Sequence, residues 1–237
     1  VSLYCKKVLI DSEPKNLFPE WLRFVKGVID SADIPLNISR ESMQDSALVK
    51  KLGRVVLKRF LKHLADIAKK DTAKYDMFFK KFGVFLKEGA AVDFENRTEL
   101  TKLLRFESSL YADGTKVSLD DYVSRMKDGQ TEIYYACGAD RKTIESAPYI
   151  EAFAARGLEV LYLYEPIDTF LVGNLGSYSE KPFASVDSDV KLGDAPKPAD
   201  GEAIPEEALK SLKDWIKSTL GDAKVESVSS GERLVES

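Results

Sequence analysis

The chain is poor in the residues that do metal and nucleophile chemistry: 237 residues contain two cysteines, Cys5 and Cys137, and one histidine, His63. A single histidine cannot form a His-His zinc site, and no Cys-x-x-Cys replaces it, so classical zinc and triad chemistry is excluded. The two cysteines are far apart, each in strand-like apolar surroundings, and are expected as buried free thiols of a reducing compartment rather than as a disulfide. His63 falls beside the apolar face of a long helical stretch and is expected at the edge of a core. No run of about 18 apolar residues is present, so no membrane span is expected. No basic region followed by an apolar core opens the chain, and Val1 to Ile10 read instead as a strand already inside a domain. The expectation is a piece of a longer protein. No G-x-G-x-x-G follows a strand into a helix, and no nucleophile stands with a base, so no complete active site can be assembled. A net charge of -4, with 35 basic and 39 acidic residues interleaved, leaves no basic stripe, and nucleic acid is excluded as a partner.

What is present is enough apolar residue, 44% of the chain, to bury one or two cores. Pro19 opens a short helix at a position where its missing N–H does no harm. Pro35 then breaks the chain and turns Ile34 away from helix. Arg40 is thereby presented on a short polar loop, with Ser39 or Asp45 available to cap the next helix. A guanidinium held this way offers five donors in a rigid fork suited to phosphate or carboxylate. From Leu48 the residues Leu52, Val56, Phe60, Leu64 and Ile67 recur at helical steps, predicting an amphipathic helix of about six turns in which Gly53 marks a close crossing. A second helical group is expected from Ala73 to Phe82, ended by Gly83, then Val84 to Leu86, then Phe94 to Leu104 after a break at Glu88-Gly89-Ala90. Phe78, Phe79, Phe82 and Phe85 within it are expected as core. From about residue 105 strands and helices alternate. Helices are expected over Leu119–Met126, Thr143–Arg156 with a break at Pro148, and Ile167–Leu175, and strands over Ile133–Cys137, Val160–Tyr164 and Phe183–Val186. That rhythm predicts a small parallel sheet covered on both faces. Residues 187 to 203 read as a linker, Glu206 to Leu220 as an amphipathic helix stopped by Gly221, and Lys224 to Val228 as a strand. With no second layer to cover that last helix and strand, a further domain is expected beyond them.

Trp21-Leu-Arg-Phe-Val-Lys-Gly-Val-Ile-Asp30, followed by Ile34-Pro-Leu-Asn-Ile-Ser-Arg-Glu41, closely resembles a signature of the heat shock protein 90 chaperone family. Lys102-Leu-Leu-Arg-Phe-Glu-Ser108, Ser118-Leu-Asp-Asp-Tyr-Val-Ser-Arg-Met126, Ile133-Tyr-Tyr135 and Glu159-Val-Leu161 with Ile167-Asp168 follow in the family's order and spacing. The resemblance covers roughly residues 1 to 190 and implies an α/β middle region. In that scheme residues 1–69 form the C-terminal half of a large αβα subdomain carrying the arginine loop, and 70–104 a helical connector. Residues 105–187 form a small αβα subdomain with a mainly parallel sheet, 188–203 a linker, and 204–237 the first helix and strand of a C-terminal dimerisation domain. The resemblance also implies a role for Arg40, which would reach the terminal phosphate of ATP, bound with Mg by a separate N-terminal domain, while Asn37 and Gln44 shape the loop. This chain alone would hold no cofactor or metal and turn over no ATP. The implied partners are non-native client proteins, the N-terminal ATPase domain and, in the full-length protein, a second copy. Gln44 to Leu52 looks like the mitochondrial paralogues and Val117 to Lys127 is equally close to the bacterial form, so a mitochondrial matrix location is favoured over a bacterial cytoplasmic one. The alternative is a non-enzymatic interaction scaffold.

Overall fold

The computed structural model describes residues 1–15, 17–32, 47–188, 190, 205–221, 225, 227 and 228. The chain divides into two compact units: Val1–Phe106 with Lys116–Ser124 and Glu165–Glu180, and Glu107–Thr115 with Arg125–Tyr164 and Lys181–Ser237.

The first unit opens with strands β1 (Ser2–Cys5) and β2 (Val8–Asp11), an antiparallel hairpin, and β3 (Val28–Asp30), which lies parallel to β1, giving the order β2-β1-β3. Leu3 and Cys5 alternate inward, as a half-buried strand requires, onto a core shared with Leu17 and Val49. The hairpin turns on Lys6 and Lys7, both at positive φ (46° and 66°). That conformation strains residues other than glycine. It is held by the Lys7 N–H, which donates to Asp30 Oδ2 at 3.0 Å.

Three helices follow: α1 (Ala47–Lys70), α2 (Thr72–Val92) and α3 (Arg97–Leu103). The long α1 is the helix its periodicity predicts, and Gly53 does mark a close crossing, because a Cβ there would stand 2.0 Å from the Leu17 carbonyl oxygen. The expected breaks at Gly83 and at Glu88-Gly89-Ala90 do not occur, and α2 runs through both. Glycine is required there for packing: a Cβ would meet the Phe79 ring at 2.7 Å from Gly83 and the Trp21 indole at 2.7 Å from Gly89. The cost of two interior glycines is offset by the aromatic rings they admit. Asp71 caps α2 through the Lys74 N–H, and Arg97 closes its far end by donating to the Ala90 and Ala91 carbonyls. Of the four phenylalanines expected as core, Phe79 is buried, whereas Phe78, Phe82 and Phe85 are half-buried around Phe24, which stacks on Phe82 and Phe85 at centroid distances of 4.7 and 5.0 Å. His63 is exposed rather than at a core edge, because the buried stripe of α1 runs through Leu57, Leu61 and Leu64 and residue 63 faces away from it. The unit also contains β5 (Lys116–Val117), α4 (Leu119–Ser124), α7 (Pro166–Leu175) and β8 (Ser177–Tyr178).

The second unit is an α/β segment, but of the helices expected in the alternating stretch only that over Thr143–Arg156 lies in it, since Leu119–Ser124 and Pro166–Leu175 belong to the first unit. Its strands β4 (Phe106–Ser108), β6 (Ile133–Cys137), β7 (Leu161–Leu163) and β9 (Lys181–Ser185) neighbour one another in the order β4-β7-β6-β9. β6 is parallel to β7 and β9, and β4 is antiparallel to β7. The connection from β6 to β7 carries α5 (Arg141–Glu145) and α6 (Pro148–Ala155), broken at Pro148 as its ring demands. Ile144, Ile150 and Phe153 pack on Tyr134, Ala136 and Tyr162 from one sheet face. Cys5 is buried as expected, but Cys137 is exposed, since it ends β6 beyond the cover of that cluster. The helix α8 (Glu206–Leu220) ends at Gly221 as predicted, with Leu212, Trp215 and Leu220 exposed along it. The strand expected over 224–228 is not formed by Val225, Ser227 and Val228, and the Val225 N–H instead donates to the Gly221 carbonyl at 3.2 Å. Lys224 and Glu226 lie outside the described residues.

Candidate functional site

Arg40, Asn37 and Gln44, the predicted site residues, lie outside the described residues, as do Ser39 and Asp45, the expected caps. The structure does describe how the segment bearing them is held at its two ends. On the entering side, Ile29 of β3 packs against the Leu3, Cys5, Leu17 and Val49 core, and the Ser31 N–H donates to the Tyr4 carbonyl at 3.0 Å. On the leaving side, Leu48 and Leu52 of the first turns of α1 pack against that same core. Both ends of the segment are therefore pinned to one apolar cluster.

Among the described residues, the sheet that carries the entering end has its core on one face, that of Leu3 and Cys5. Register places Ser2, Tyr4, Leu9, Val28 and Asp30 on the face opposite Leu3. On it Leu9 is 48% and Val28 71% exposed. Apolar side chains gathered on an open sheet face are costly to leave in water and mark a contact surface.

The best-buried polar constellation of the first unit is not legible as a group in the sequence. Lys87 of α2, 2% exposed, pairs with Asp168 of α7 at 2.6 Å and with Glu165 at 3.1 Å, and its ammonium lies 4.9 Å from the Phe106 ring centroid. Lys116 stands 3.5 Å from the other oxygen of Glu165. Burial pushes the Asp168 carboxyl above the usual carboxylate range, even beside Lys87. Burial acts in the same direction on Glu165, but Lys87 and Lys116 outweigh it and hold that carboxyl below its ordinary value. Glu165 and Asp168 also form a reciprocal cap at the start of α7, with Pro166 in the first turn. The residue pattern Glu165-Pro-x-Asp168 is the signal that announces the cap, whereas Lys87 lies 78 or more positions away and nothing local announces its pairing. Every charge in this group is paired, so its chemistry is to dock α7 on α2 rather than to act on a substrate. Among the described residues, no group of three or more His, Cys, Asp or Glu side chains could hold a metal ion, and no helix is long and apolar enough to cross a membrane.

The family model described as "Hsp90 protein" matches residues 1–237. A chaperone protein HtpG of Desulfitobacterium hafniense is 49% identical over 239 residues, covering 100% of this chain and 39% of the relative. A mitochondrial TNF receptor-associated protein 1 homolog of Dictyostelium discoideum is 41% identical over 100% of the chain and 34% of its own length. The mitochondrial heat shock protein 75 kDa of Bos taurus is 42% identical over 93% of the chain and 33% of its own length. Bacterial and mitochondrial types are thus both among the relatives, and the chain spans roughly a third to two fifths of their lengths. With the family model matched from the first residue to the last and several independent motifs in its order, the chain belongs to the Hsp90 family.

Proposed function

We propose that this chain is the middle segment of an ATP-dependent molecular chaperone that supplies Arg40 to the terminal phosphate of ATP. The nucleotide, with Mg, is bound by a separate N-terminal domain. The observation that carries the proposal is the pinning of both ends of residues 33–46 to one core, because a fork that must meet a phosphate on another domain needs a fixed base. The open sheet face with Leu9 and Val28 supports it, as β3 leads directly into that segment and its apolar side chains suit a docking partner domain. An arginine delivered across a domain interface neutralises charge developing on the transferred phosphoryl and is typically worth about 10³ to 10⁵ in rate. Asn37 and Gln44 hold the loop in shape. The whole protein works as a homodimer on non-native client proteins, in the bacterial cytoplasm or the mitochondrial matrix, as the two types of relative suggest.

The chain alone is expected to release no phosphate from ATP. The test is turnover on mixing it with its separately produced N-terminal domain, using wild-type and Arg40→Ala chains. Turnover that rises on mixing, and only with Arg40 present, is expected. Turnover by the chain alone, or stimulation that survives Arg40→Ala, would overturn the proposal.

A further inference from the structure

Helix α1 concentrates positive charge in a chain whose net charge is -4. Eight of its twelve exposed residues are lysine or arginine, and Asp66 is its only carboxylate. Charges interleaved along the chain as a whole thus become a basic stripe on one element, which the overall balance does not announce. At about 100° per residue, Lys51, Lys58, Lys62 and Lys69 fall within about 20° of one line, which extends about 27 Å along the axis. Arg54 and Arg59 flank that line on its two sides. The stripe is held outward, because Val49, Leu57, Leu61 and Leu64 fix the opposite side of the helix in the core.

Little on the protein neutralises the stripe. Arg54 reaches Glu95 at 3.7 Å, but Lys51, Lys58, Arg59, Lys62, Lys69 and Lys70 make no ion pair among the described residues. Asp71, which follows α1 in the chain, is occupied in capping α2. What the stripe lacks chooses its occupant. It carries no Phe, Tyr or Trp on which a base could stack and no Asn or Gln to read one, so it does not suit nucleic acid. A protein interface needs an apolar centre, and Val55, 44% exposed, is the one large apolar side chain exposed among these cations. The apolar side that an interfacial helix sinks into lipid is here spent on the core. What remains is attraction by charge alone. Lysine, a point charge on a flexible stem, exerts it on phosphate headgroups that are free to gather beneath it.

We propose that the exposed side of α1 docks on the surface of an anionic lipid bilayer. The chain adsorbs through the line of lysines and inserts nothing. This goes beyond the proposed function, since a lipid surface is not a client protein and the contact needs neither nucleotide nor Arg40.

Co-sedimentation of the chain with vesicles of three parts phosphatidylcholine to one part phosphatidylglycerol tests it, with pure phosphatidylcholine vesicles as the control. Binding to the anionic vesicles alone is expected at about 0.05 M salt. It should fall at least about tenfold by about 0.5 M, where the screening length has shrunk to about 4 Å. Lys58→Gln combined with Lys62→Gln should weaken binding more than about tenfold, since each lysine at an anionic surface is worth about fivefold. Lys6→Gln combined with Lys142→Gln removes the same charge from exposed positions elsewhere and should weaken it less than about threefold. All four positions are exposed, so melting temperatures should stay at the wild-type value. Equal binding to the two kinds of vesicle, or none to either, would overturn the proposal. So would binding indifferent to salt, or an equal loss in the two double variants. Tighter binding to a short DNA duplex than to the anionic vesicles would give the stripe to nucleic acid and overturn it too.

Discussion

The sheet β2-β1-β3 and the strands β4-β7-β6-β9 are made of similar apolar residues and put to opposite uses. In β7, Leu161, Tyr162 and Leu163 are all buried, and the neighbouring β6 carries Ile133, Tyr134 and Ala136 inward on both faces. In β1, only Leu3 and Cys5 are buried, and the other face of that sheet leaves Leu9 and Val28 to solvent. A strand buried on both faces, as β7 is throughout, leaves no surface for a partner and serves as scaffold. The sheet β2-β1-β3, whose last strand runs into the segment that bears Arg40, keeps Leu9 and Val28 exposed on one face and is the place where the proposed docking is tested.

The largest expected effect comes from the scaffold side. Leu161→Ala, in the strand buried throughout, should cost about 2 to 5 kcal/mol in urea unfolding, and a cost near zero would break the contrast between the sheets. Gly53→Ala comes next, since its Cβ would press on the Leu17 carbonyl beneath the first sheet. About 1 to 3 kcal/mol is expected from the same measurement.

Acid should reveal the Lys87 group. Glu165 has its carboxyl held below the ordinary 4.5, so its contribution is complete above that value and is lost as pH falls through the lowered one. Asp168 runs the other way: its raised carboxyl favours the folded chain when protonated, below the ordinary 3.8, and that contribution is lost as pH rises through the raised value. Glu165→Gln should therefore flatten the fall in melting temperature below pH 4.5, and an unchanged fall would remove Glu165 from the account. The smallest effect belongs to the bare face. Leu9→Ser should change stability by no more than about 0.5 kcal/mol while lowering ATP turnover of the full-length protein.

Elements with a strong local signal are legible in the amino-acid sequence itself. The α1 periodicity, the Pro148 break and the α8 stop at Gly221 each follow from side-chain spacing or backbone restriction within a few residues. What local spacing misses is settled by how side chains pack, within a helix or across the chain. Gly83 and Gly89 read as breakers because their local cost is real, but one makes room for Phe79 and the other for Trp21, 68 positions earlier in the chain. His63 and Cys137 sit one step outside buried stripes, a distinction of facing that hydrophobicity alone does not encode. Arg40 stands out in the sequence through its motif and Pro35, and the fold adds the common anchorage of the segment's two ends.

The central claim is that Arg40 acts on phosphate through its fork, and Arg40→Lys in the full-length protein tests it most directly. The substitution keeps the charge and removes the bidentate geometry. The account predicts ATP turnover lowered by at least about tenfold with nucleotide affinity nearly unchanged. Turnover within about threefold of wild type would contradict it.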